Sequence, residues 1–244
     1  LLFSATMPDA LRGLAHECLN NPLTVQVDHN VALTTVTHAL YPVVEHLKTP
    51  LLLALLAKID SESVLVFTRT KHRAKRIADK VKEAGHSSTS LQGNLSQNRR
   101  KAALDSFREG KVRVLVATDI AARGIDVSQI SHVINYDITD TPEAYVHRIG
   151  RTGRAAKTGD AYTLVTSADD GMIRTIERKL GKSIERHTLE GFDYRGAPTS
   201  THGQHHTGPR APQSISAHNA RAAAHPAKPG KAGRPFWRKR RRSR

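Results

Sequence analysis

A run of ten residues, Tyr145–Arg154 (YVHRIGRTGR), holds more cationic hydrogen-bonding groups than a surface helix needs, namely His147, Arg148, Arg151 and Arg154. Guanidinium groups are planar, permanently charged forks that match the oxygens of a phosphate chain. A solvated basic helix end is the alternative, but Gly150 and Gly153 would weaken such a helix. Both glycines favour a backbone that turns close to a ligand. The run therefore predicts a site for a polyphosphate.

A second polar run, Ala117–Asp126 (ATDIAARGID), follows a predicted buried strand. Thr118 and Asp119 would then lie at a strand's carboxyl end, where ligands bind in open α/β sheets. Gly124 allows a close approach of the backbone, and the carboxylate of Asp126 can accept hydrogen bonds from a ribose hydroxyl. Simple capping of a helix by Asp119 and of a turn by Asp126 is the alternative, and we expect it to hold for one of the two.

Residues in two other segments of the chain could contact a second phosphate group. Gly93 lies in a loop whose backbone amides can meet a phosphate, Gln97 can orient that loop, and Arg100 lies one helical turn beyond Ser96. Arg69 and Thr70 follow the strand at residues 64–67. Solvation at the surface is the alternative for Arg69 and for Arg99.

The elements that must position these residues are those of an α/β protein. Short apolar runs alternate with one-sided helical patterns, which is typical of βαβ units around a parallel sheet. The patterns predict strands at 64–67, 112–117, 132–136 and 161–166 and helices at 47–58, 71–84 and 99–107, the last with Ser96 as N-cap. Residues 1–34 differ: they predict a strand end at 1–5, a helix from about Asp9 to Leu19, a strand at 23–27 and a polar connector.

Charge is distributed unevenly along the chain. The net charge is +16, yet residues 195–244 alone carry 12 Lys and Arg and no acidic residue. Low apolar content predicts disorder after about residue 190, and scattered histidines there lack the cysteine or carboxylate of a structural metal site. Phe236 and Trp237 stand among basic residues, a combination suited to stacking on unpaired bases while holding their backbone. A targeting-like basic cluster is the alternative.

The cysteine count and hydropathy bound the class of protein. The single cysteine, Cys18, cannot form an internal disulfide and is expected to be a small buried side chain. A reducing cytoplasm is therefore the predicted location. No apolar stretch approaches membrane-spanning length.

Taken in order, these motifs resemble the DEAD-box RNA helicases of superfamily 2 over residues 1 to about 182. The resemblance rests on Ser4-Ala5-Thr6, residues 64–71 (VLVFTRTK), Gly93 with Gln97 to Arg100, and the runs Ala117–Asp126 and Tyr145–Arg154. It implies a RecA-like parallel sheet sandwiched by helices and followed by a disordered basic tail. The implied division is 1–34, the end of a first ATP-binding RecA-like domain and linker; 35–190, a second RecA-like domain; and 191–244, the tail.

The resemblance also implies roles for the site residues. Arg151 and Arg154 would act as arginine fingers on the γ-phosphate of ATP, and Asp126 with Gly124 would bind its ribose. His147 and Arg148 would couple this site to the partner domain and to Ser4 and Thr6, for which capping of the helix after Pro8 is the alternative. RNA contacts, mainly to the backbone and independent of sequence, would come from Arg69, Thr70, Gly93, Gln97, Arg100 and Thr118, with Phe236 and Trp237 in the tail.

Two family motifs are missing from the 244 residues: the phosphate loop G-x-x-x-x-G-K-[ST] and the Asp-Glu-Ala-Asp segment. The groups that cradle ATP and hold Mg²⁺ would then belong to a first domain upstream of Leu1, and the absence of an initiator Met predicts that the chain is truncated. We expect a parent that couples ATP hydrolysis to local RNA unwinding, and background hydrolysis by this chain alone. A non-enzymatic RNA-binding or regulatory module and a superfamily 2 DNA helicase remain the alternatives.

Overall fold

The apolar runs form parallel strands, and the amphipathic segments form helices that cover them. The computed structural model describes residues 1–4, 7, 9–25, 35–61, 63–122, 130–153 and 158–196. Its helices are α1 (Asp9–Cys18), α2 (Lys48–Lys58, after a 3₁₀ turn at Glu45–Leu47), α3 (Lys71–Glu83), α4 (Gln97–Arg108), α5 (Asp119–Ala122), α6 (Pro142–Ile149) and α7 (Asp170–Leu180, after a 3₁₀ turn at Ser167–Asp169). Its strands are β1 (Val36–Pro42), β2 (Val64–Phe67), β3 (Ser88–Leu91), β4 (Val114–Ala117), β5 (His132–Asn135), β6 (Gly159–Val165) and β7 (Glu185–Arg186).

These strands form one sheet in the order β3-β4-β2-β5-β6-β1-β7. Every pairing is parallel: Phe67 at the end of β2 lies beside Ala117 of β4 on one side and Asn135 of β5 on the other. Leu91, the last residue of β3, pairs with Ala117 as well. The carboxyl ends of four neighbouring strands therefore share one edge of the sheet, which we call the carboxyl edge.

Alternation along the strands sends side chains into two cores on opposite faces of the sheet. Val64, Val66, Val114 and Val116 pack with α2 and α3 on one face. On the other face, Leu65, Phe67 and Leu115 pack with α4 and α5, and Leu40 and Ala161 pack with α6 and α7. The predicted α/β sheet sandwiched by helices is confirmed.

Side-chain caps begin three of these helices. Thr70, Ser96 and Thr141 each accept a hydrogen bond from the backbone N–H three residues on, at 3.2, 3.4 and 3.2 Å. The four predicted strands and three predicted helices are present, with ends shifted by two or fewer residues at most boundaries. Sequence reasoning missed β1, β3 and the two-residue β7, and it gave no bounds for α5, α6 or α7. Three of the four residues of β3 (STSL) are polar. The strand lies at an edge of the sheet and fully buries only Leu91, so its hydrophobic signal is weak.

The first residues differ from the expectation. α1 ends at Cys18 as predicted to within one residue, but residues 1–4 and 23–25, the described parts of the two predicted strands, form no strand. A strand needs a paired neighbour, and the described sheet takes all its strands from residues 36–186. Cys18, expected to be buried, is exposed. It ends a helix whose Leu14 is also exposed.

The folded chain also extends past the predicted boundary at residue 190. Phe192 and Tyr194 pack against the core beside α2, and the Tyr194 hydroxyl accepts a hydrogen bond from the Leu189 N–H at 2.8 Å. A ring nitrogen of His46 lies 2.9 Å from the carbonyl of Gly196. Aromatic burial explains why residues 191–196 belong with the domain rather than the tail. Among the described residues, no helix combines the length and apolar character that crossing a membrane requires.

Candidate functional site

The carboxyl edge collects the residues that the sequence singled out after three separate strands. Arg69 and Thr70 follow β2, Gly93 follows β3, and Thr118 follows β4. Because β3, β4 and β2 are neighbours in the sheet, these positions lie side by side. A ligand laid across this edge would meet all of them.

The buried centre of the edge is Arg148 on α6, whose side chain is 3% exposed. Its Nε and Nη2 donate to the two carboxylate oxygens of Asp119, both at 2.7 Å. Its Nη1 donates to Oδ1 of Asn135 at 3.2 Å and to the carbonyl of Asp137 at 2.6 Å. The guanidinium also lies over the ring of Phe67, 5.0 Å from its centroid. Three strand ends are thereby tied to α6.

Asp119 has a partner in this arrangement that the sequence did not predict. Its carboxylate receives a bidentate guanidinium, a charge-assisted geometry stronger than a neutral hydrogen bond. The Asp119 side chain is nonetheless 44% exposed, so one part of it faces Arg148 and the rest faces solvent. Arg148, for which the sequence predicted coupling to a partner domain, contacts groups of its own domain. Its role in these contacts is to position α6 against β4 and β5.

Arg151 and His147 line a small recess next to this ion pair. The recess holds about 80 Å³ and is bounded by Phe67, Asp119, Arg148 and two alanines besides Arg151 and His147. Pockets that enclose a whole small ligand measure roughly 300–1,000 Å³. The recess can therefore take one group of a nucleotide but cannot enclose the whole molecule.

The turn that carries Arg151 is held by its neighbours. The Thr152 hydroxyl donates to the carbonyls of Ile130 and Ser131 at 2.6 and 2.8 Å, and the Thr35 hydroxyl donates to the carbonyl of Gly153 at 3.0 Å. Gly153 has a φ of +68°, and a Cβ there would lie 2.7 Å from Val36 Cγ2. Glycine at 153 is thus explained by a left-handed turn packed on β1, where the sequence suggested approach to a ligand.

Tyr145, at the start of the arginine run, is fully buried. Burial raises the pKa of its phenol to about 12, so the hydroxyl remains protonated at neutral pH. Its oxygen lies 3.2 Å from Nδ1 of His38 on β1. The start of the run is a packing element that joins α6 to the sheet.

The turn after β2 is anchored by a second buried carboxylate, that of Asp137. Asp137 is 3% exposed, and its Oδ2 accepts the backbone N–H of Arg69 at 2.8 Å. Its Oδ1 accepts a hydrogen bond from Arg73, whose guanidinium also lies 3.4 Å from a carboxylate oxygen of Glu45. Since the Asp137 carbonyl binds Arg148, one residue connects the Arg69 turn to the arginine run.

The remaining predicted contacts fall on the surface of the same edge. Thr70 is exposed and caps α3, while Arg69 has a side chain that is 53% exposed. Gly93 and Gln97 are exposed at the start of α4. Arg100 is turned partly inward, because its Nη2 donates to the carbonyl of Ala121 on α5 at 2.6 Å.

Six predicted site residues lie outside the described residues: Thr6, Gly124, Asp126, Arg154, Phe236 and Trp237. Ser4 is described and exposed. Sequence reasoning missed Asn135 and Asp137. Their signal was present, since Asn135 and Asp137 are polar residues at the end of a predicted buried strand, and buried polar groups there need partners.

Comparison with known proteins gives consistent results. Residues 47–156 match the family described as the helicase conserved C-terminal domain. The chain is 43% identical over 187 residues to the DEAD-box ATP-dependent RNA helicase CshA of Geobacillus kaustophilus, covering 76% of this chain and 40% of that protein. The chain therefore spans well under half the length of this curated relative.

Solved structures show the same similarity. The crystal structure of the E. coli DEAD-box protein SrmB bound to the regulator of ribonuclease activity A matches 68% of this chain and 98% of that chain, with 34% identity and a TM-score of 0.63. S. cerevisiae Dbp5 bound to RNA and ADP BeF3 matches 76% of this chain and 50% of that chain, with 32% identity and a TM-score of 0.69.

Proposed function

The chain belongs to the DEAD-box family of superfamily 2, of which it carries the RecA-like C-terminal helicase domain, and from this premise we propose that it is part of an ATP-dependent RNA helicase. In this proposal the domain supplies one half of a nucleotide site and one half of an RNA site. ATP hydrolysis by the whole protein drives local separation of RNA strands.

The observation that carries the nucleotide half is the placement of Arg151 beside the buried Arg148–Asp119 pair. Because Arg148 is saturated by its own domain, the guanidinium proposed to meet a ligand in the recess is that of Arg151, next to His147. A guanidinium so placed suits the charge that develops on a transferred phosphoryl group. Arg154, Gly124 and Asp126 are proposed to complete this side of the site.

A complete site needs groups that this chain does not carry. The 244 residues contain no phosphate loop and no Asp-Glu-Ala-Asp segment, and these are the groups that cradle ATP and hold Mg²⁺ in P-loop enzymes. When bound, Mg²⁺ would neutralise charge on the β- and γ-phosphates. The small recess fits a shared site, in which closure of two domains brings Arg151 to ATP held elsewhere.

The RNA half is proposed to lie along the carboxyl edge. A Cβ placed on Gly93 would meet nothing within 4 Å, and its backbone angle is not left-handed, so neither packing nor conformation requires glycine there. Close approach of a phosphate to the backbone is a sufficient reason for it. Arg69, Thr70, Gln97, Arg100 and Thr118 surround the same edge. One relative, Dbp5, is solved with RNA and ADP BeF3 bound.

The test supplies the chain with a P-loop domain by fusion to the N-terminal part of the Geobacillus relative. RNA-stimulated ATP hydrolysis should fall about a thousandfold or more in Arg151→Ala, and Arg151→Lys should recover little because an ammonium lacks the planar fork. Arg108→Ala, an exposed control on α4, should keep wild-type turnover. Unchanged turnover in Arg151→Ala would contradict the assignment.

The alternatives give different results in the same assay. A non-enzymatic RNA-binding module predicts RNA affinity without turnover in the fusion, and a DNA helicase predicts stimulation by DNA in place of RNA. The 244-residue chain alone is proposed to hydrolyse ATP at background rate. Coupling of Ser4 and Thr6 to the first domain, the division of the chain into two RecA-like domains and the cytoplasmic location remain predictions.

A further inference from the structure

A basic groove lies beside the carboxyl edge, away from the recess of Arg151. It has a volume of about 490 Å³ and runs along one face of α3. Its cationic residues are Lys71, Lys75, Arg76 and Lys80, and His72, Asp79 and Glu83 also line it. Its opposite wall is formed by Gln92 and Asn94, which flank Gly93.

The charge of the groove is only partly neutralised. Lys75 pairs with Asp79 at 3.1 Å and Lys80 with Glu83 at 2.8 Å, and all four side chains are more than half exposed. Exposed ion pairs of this kind are weak and exchange readily for another anion. Among the residues that the structure describes, no carboxylate lies within ion-pair distance of Arg76. Positive charge therefore dominates the surface.

The groove continues the surface proposed to contact RNA. Lys71 directly follows Thr70, and its Nζ donates to Oδ1 of Asn94 at 3.2 Å. The N–H of Asn94 donates in turn to Oε1 of Gln92 at 2.8 Å, which holds the turn around Gly93. The same turn thus forms the edge of both surfaces. An RNA single strand that leaves the Gly93 turn would therefore enter the groove directly.

We propose that this groove binds the phosphates of RNA that extends beyond the carboxyl edge, with Lys75 and Arg76 as its main contacts. From Lys71 to Lys80, α3 rises roughly 13 Å, which matches about four phosphates at roughly 3.4 Å along a stacked strand. The inference rests on the proposed RNA function. It adds a preference for RNA length: a single-stranded RNA long enough to reach the groove should bind the chain more tightly than a shorter one.

The positive charge of the groove excludes the C-terminal segment of this chain as its occupant. The C-terminal residues 195–244 hold 12 Lys and Arg and no acidic residue, so this segment would be repelled. An acidic protein would be attracted as RNA is, but continuity with the Gly93 turn favours RNA. Binding of an acidic chain is therefore an outcome that the experiment must detect.

The test measures the affinity of the full chain for oligouridines of about six and about twelve nucleotides, lengths that differ by more than the groove's capacity. The double variant Lys75→Gln/Arg76→Gln should bind the longer RNA roughly tenfold more weakly near physiological salt, with a salt slope smaller by about 1.4. The shorter RNA should be affected less than about twofold. The control, Lys82→Gln/Lys111→Gln, removes the same charge from exposed positions at the opposite edge of the sheet. It should leave the length preference intact.

Amide NMR shifts on the wild-type chain separate this inference from the proposed function. Both oligouridines should shift Gly93 and Gln97, and only the longer one should shift Lys75 and Arg76. Shifts at Gly93 and Gln97 without any at Lys75 and Arg76 would overturn the groove while leaving the function standing. No shift at either place would overturn both. Shifts at Lys75 and Arg76 with polyglutamate that RNA does not displace would identify an acidic protein as the occupant and also overturn the inference.

Discussion

Arg148 and Asp119 face each other through two parallel hydrogen bonds of 2.7 Å, although 29 positions of the chain separate the two residues. The pair joins the run that carries Arg151 to the segment that follows β4. A guanidinium this deeply buried needs every acceptor it has. Its contacts with Asn135 and Asp137 complete that set.

Substitution of Arg148 should destabilise the domain more than substitution of Asp119. Arg148→Met leaves the buried acceptors of Asn135 and Asp137 without a donor, and we expect the free energy of unfolding to fall by about 2–4 kcal/mol. Asp119→Asn should cost about 1–2 kcal/mol, because its side chain is partly exposed. Urea unfolding of the two single variants and the double variant measures the interaction free energy between Arg148 and Asp119. Wild-type stability in Arg148→Lys would contradict this prediction, because an ammonium group cannot replace the bidentate contact of the guanidinium with Asp119.

The buried carboxylate of Asp137 should control RNA affinity through the backbone of Arg69. In Asp137→Asn one oxygen must replace two acceptors, so the turn after β2 loosens and RNA affinity should fall about three- to tenfold, with stability lower by about 1–3 kcal/mol. Asp140→Asn removes the same charge from a side chain that is 83% exposed and 3.7 Å from Arg69. It should leave RNA affinity within about twofold, since exposed ion pairs contribute little. Equal effects of the two variants in a binding titration would contradict a positioning role for Asp137.

Gly153→Ala should be strongly destabilising. The residue has a left-handed backbone, and its added Cβ would meet Val36 and Thr35 at 2.7 and 2.8 Å, so we expect the free energy of unfolding to fall by about 2–4 kcal/mol. Gly171→Ala is the matched control, because it lies in α7 with nothing within 4 Å of the new Cβ. That change should stabilise by up to about 1 kcal/mol. Thermal or urea unfolding measures both changes. If Gly153→Ala and Gly171→Ala changed the free energy of unfolding in the same direction, the explanation would be refuted.

Stability should decrease on mild acidification because of two histidines. Burial lowers the pKa of His86, and the adjacent Arg113 guanidinium, 2.9 Å away, lowers it further. Burial also lowers the pKa of His132, with Asp160 opposing and Arg113 adding to the effect. The unfolded state, with a histidine pKa of about 6.5, then binds more protons than the folded state as pH falls below that value. The stabilisation is fully present above about pH 6.5 and is lost progressively below it.

Urea unfolding between about pH 5 and pH 8 measures this dependence. His86→Gln should flatten it, since an amide can replace the acceptor without titrating. If the free energy of unfolding of the wild type increased as the pH fell, the predicted direction of the pH dependence would be refuted.

The basic C-terminal segment should set much of the salt dependence of RNA binding. Removal of residues 197–244, chosen because Gly196 still contacts the domain, should weaken RNA affinity and flatten its salt slope by about 0.7 for each phosphate that the shortened chain no longer neutralises. Phe236→Ala/Trp237→Ala in the full chain should weaken affinity without changing that slope, because stacking releases no counterions. A salt titration with identical slopes for the full and shortened chains would contradict this prediction.

Several features of this protein followed from the sequence alone because they depend on near neighbours in the chain. The apolar run at 64–67 and the one-sided pattern at 71–84 predicted β2 and α3 nearly to the residue, and Ser96 and Gly153 signalled a cap and a tight turn. The spacing of arginines and glycines in Tyr145–Arg154 predicts a phosphate-binding element, which stays a prediction. These signals are local, since periodicity, capping and glycine backbone freedom act over a few residues.

The tertiary structure decided where each of these charged groups lies. Arg148 and Arg151 are three residues apart and chemically identical, yet one is saturated by Asp119, Asn135 and Asp137 while the other lines the recess. That difference depends on strand order, which places β4, β2 and β5 side by side and brings residues 68 positions apart into contact. Burial of a charge requires partners from several strands at once, and no local pattern in the sequence specifies that convergence.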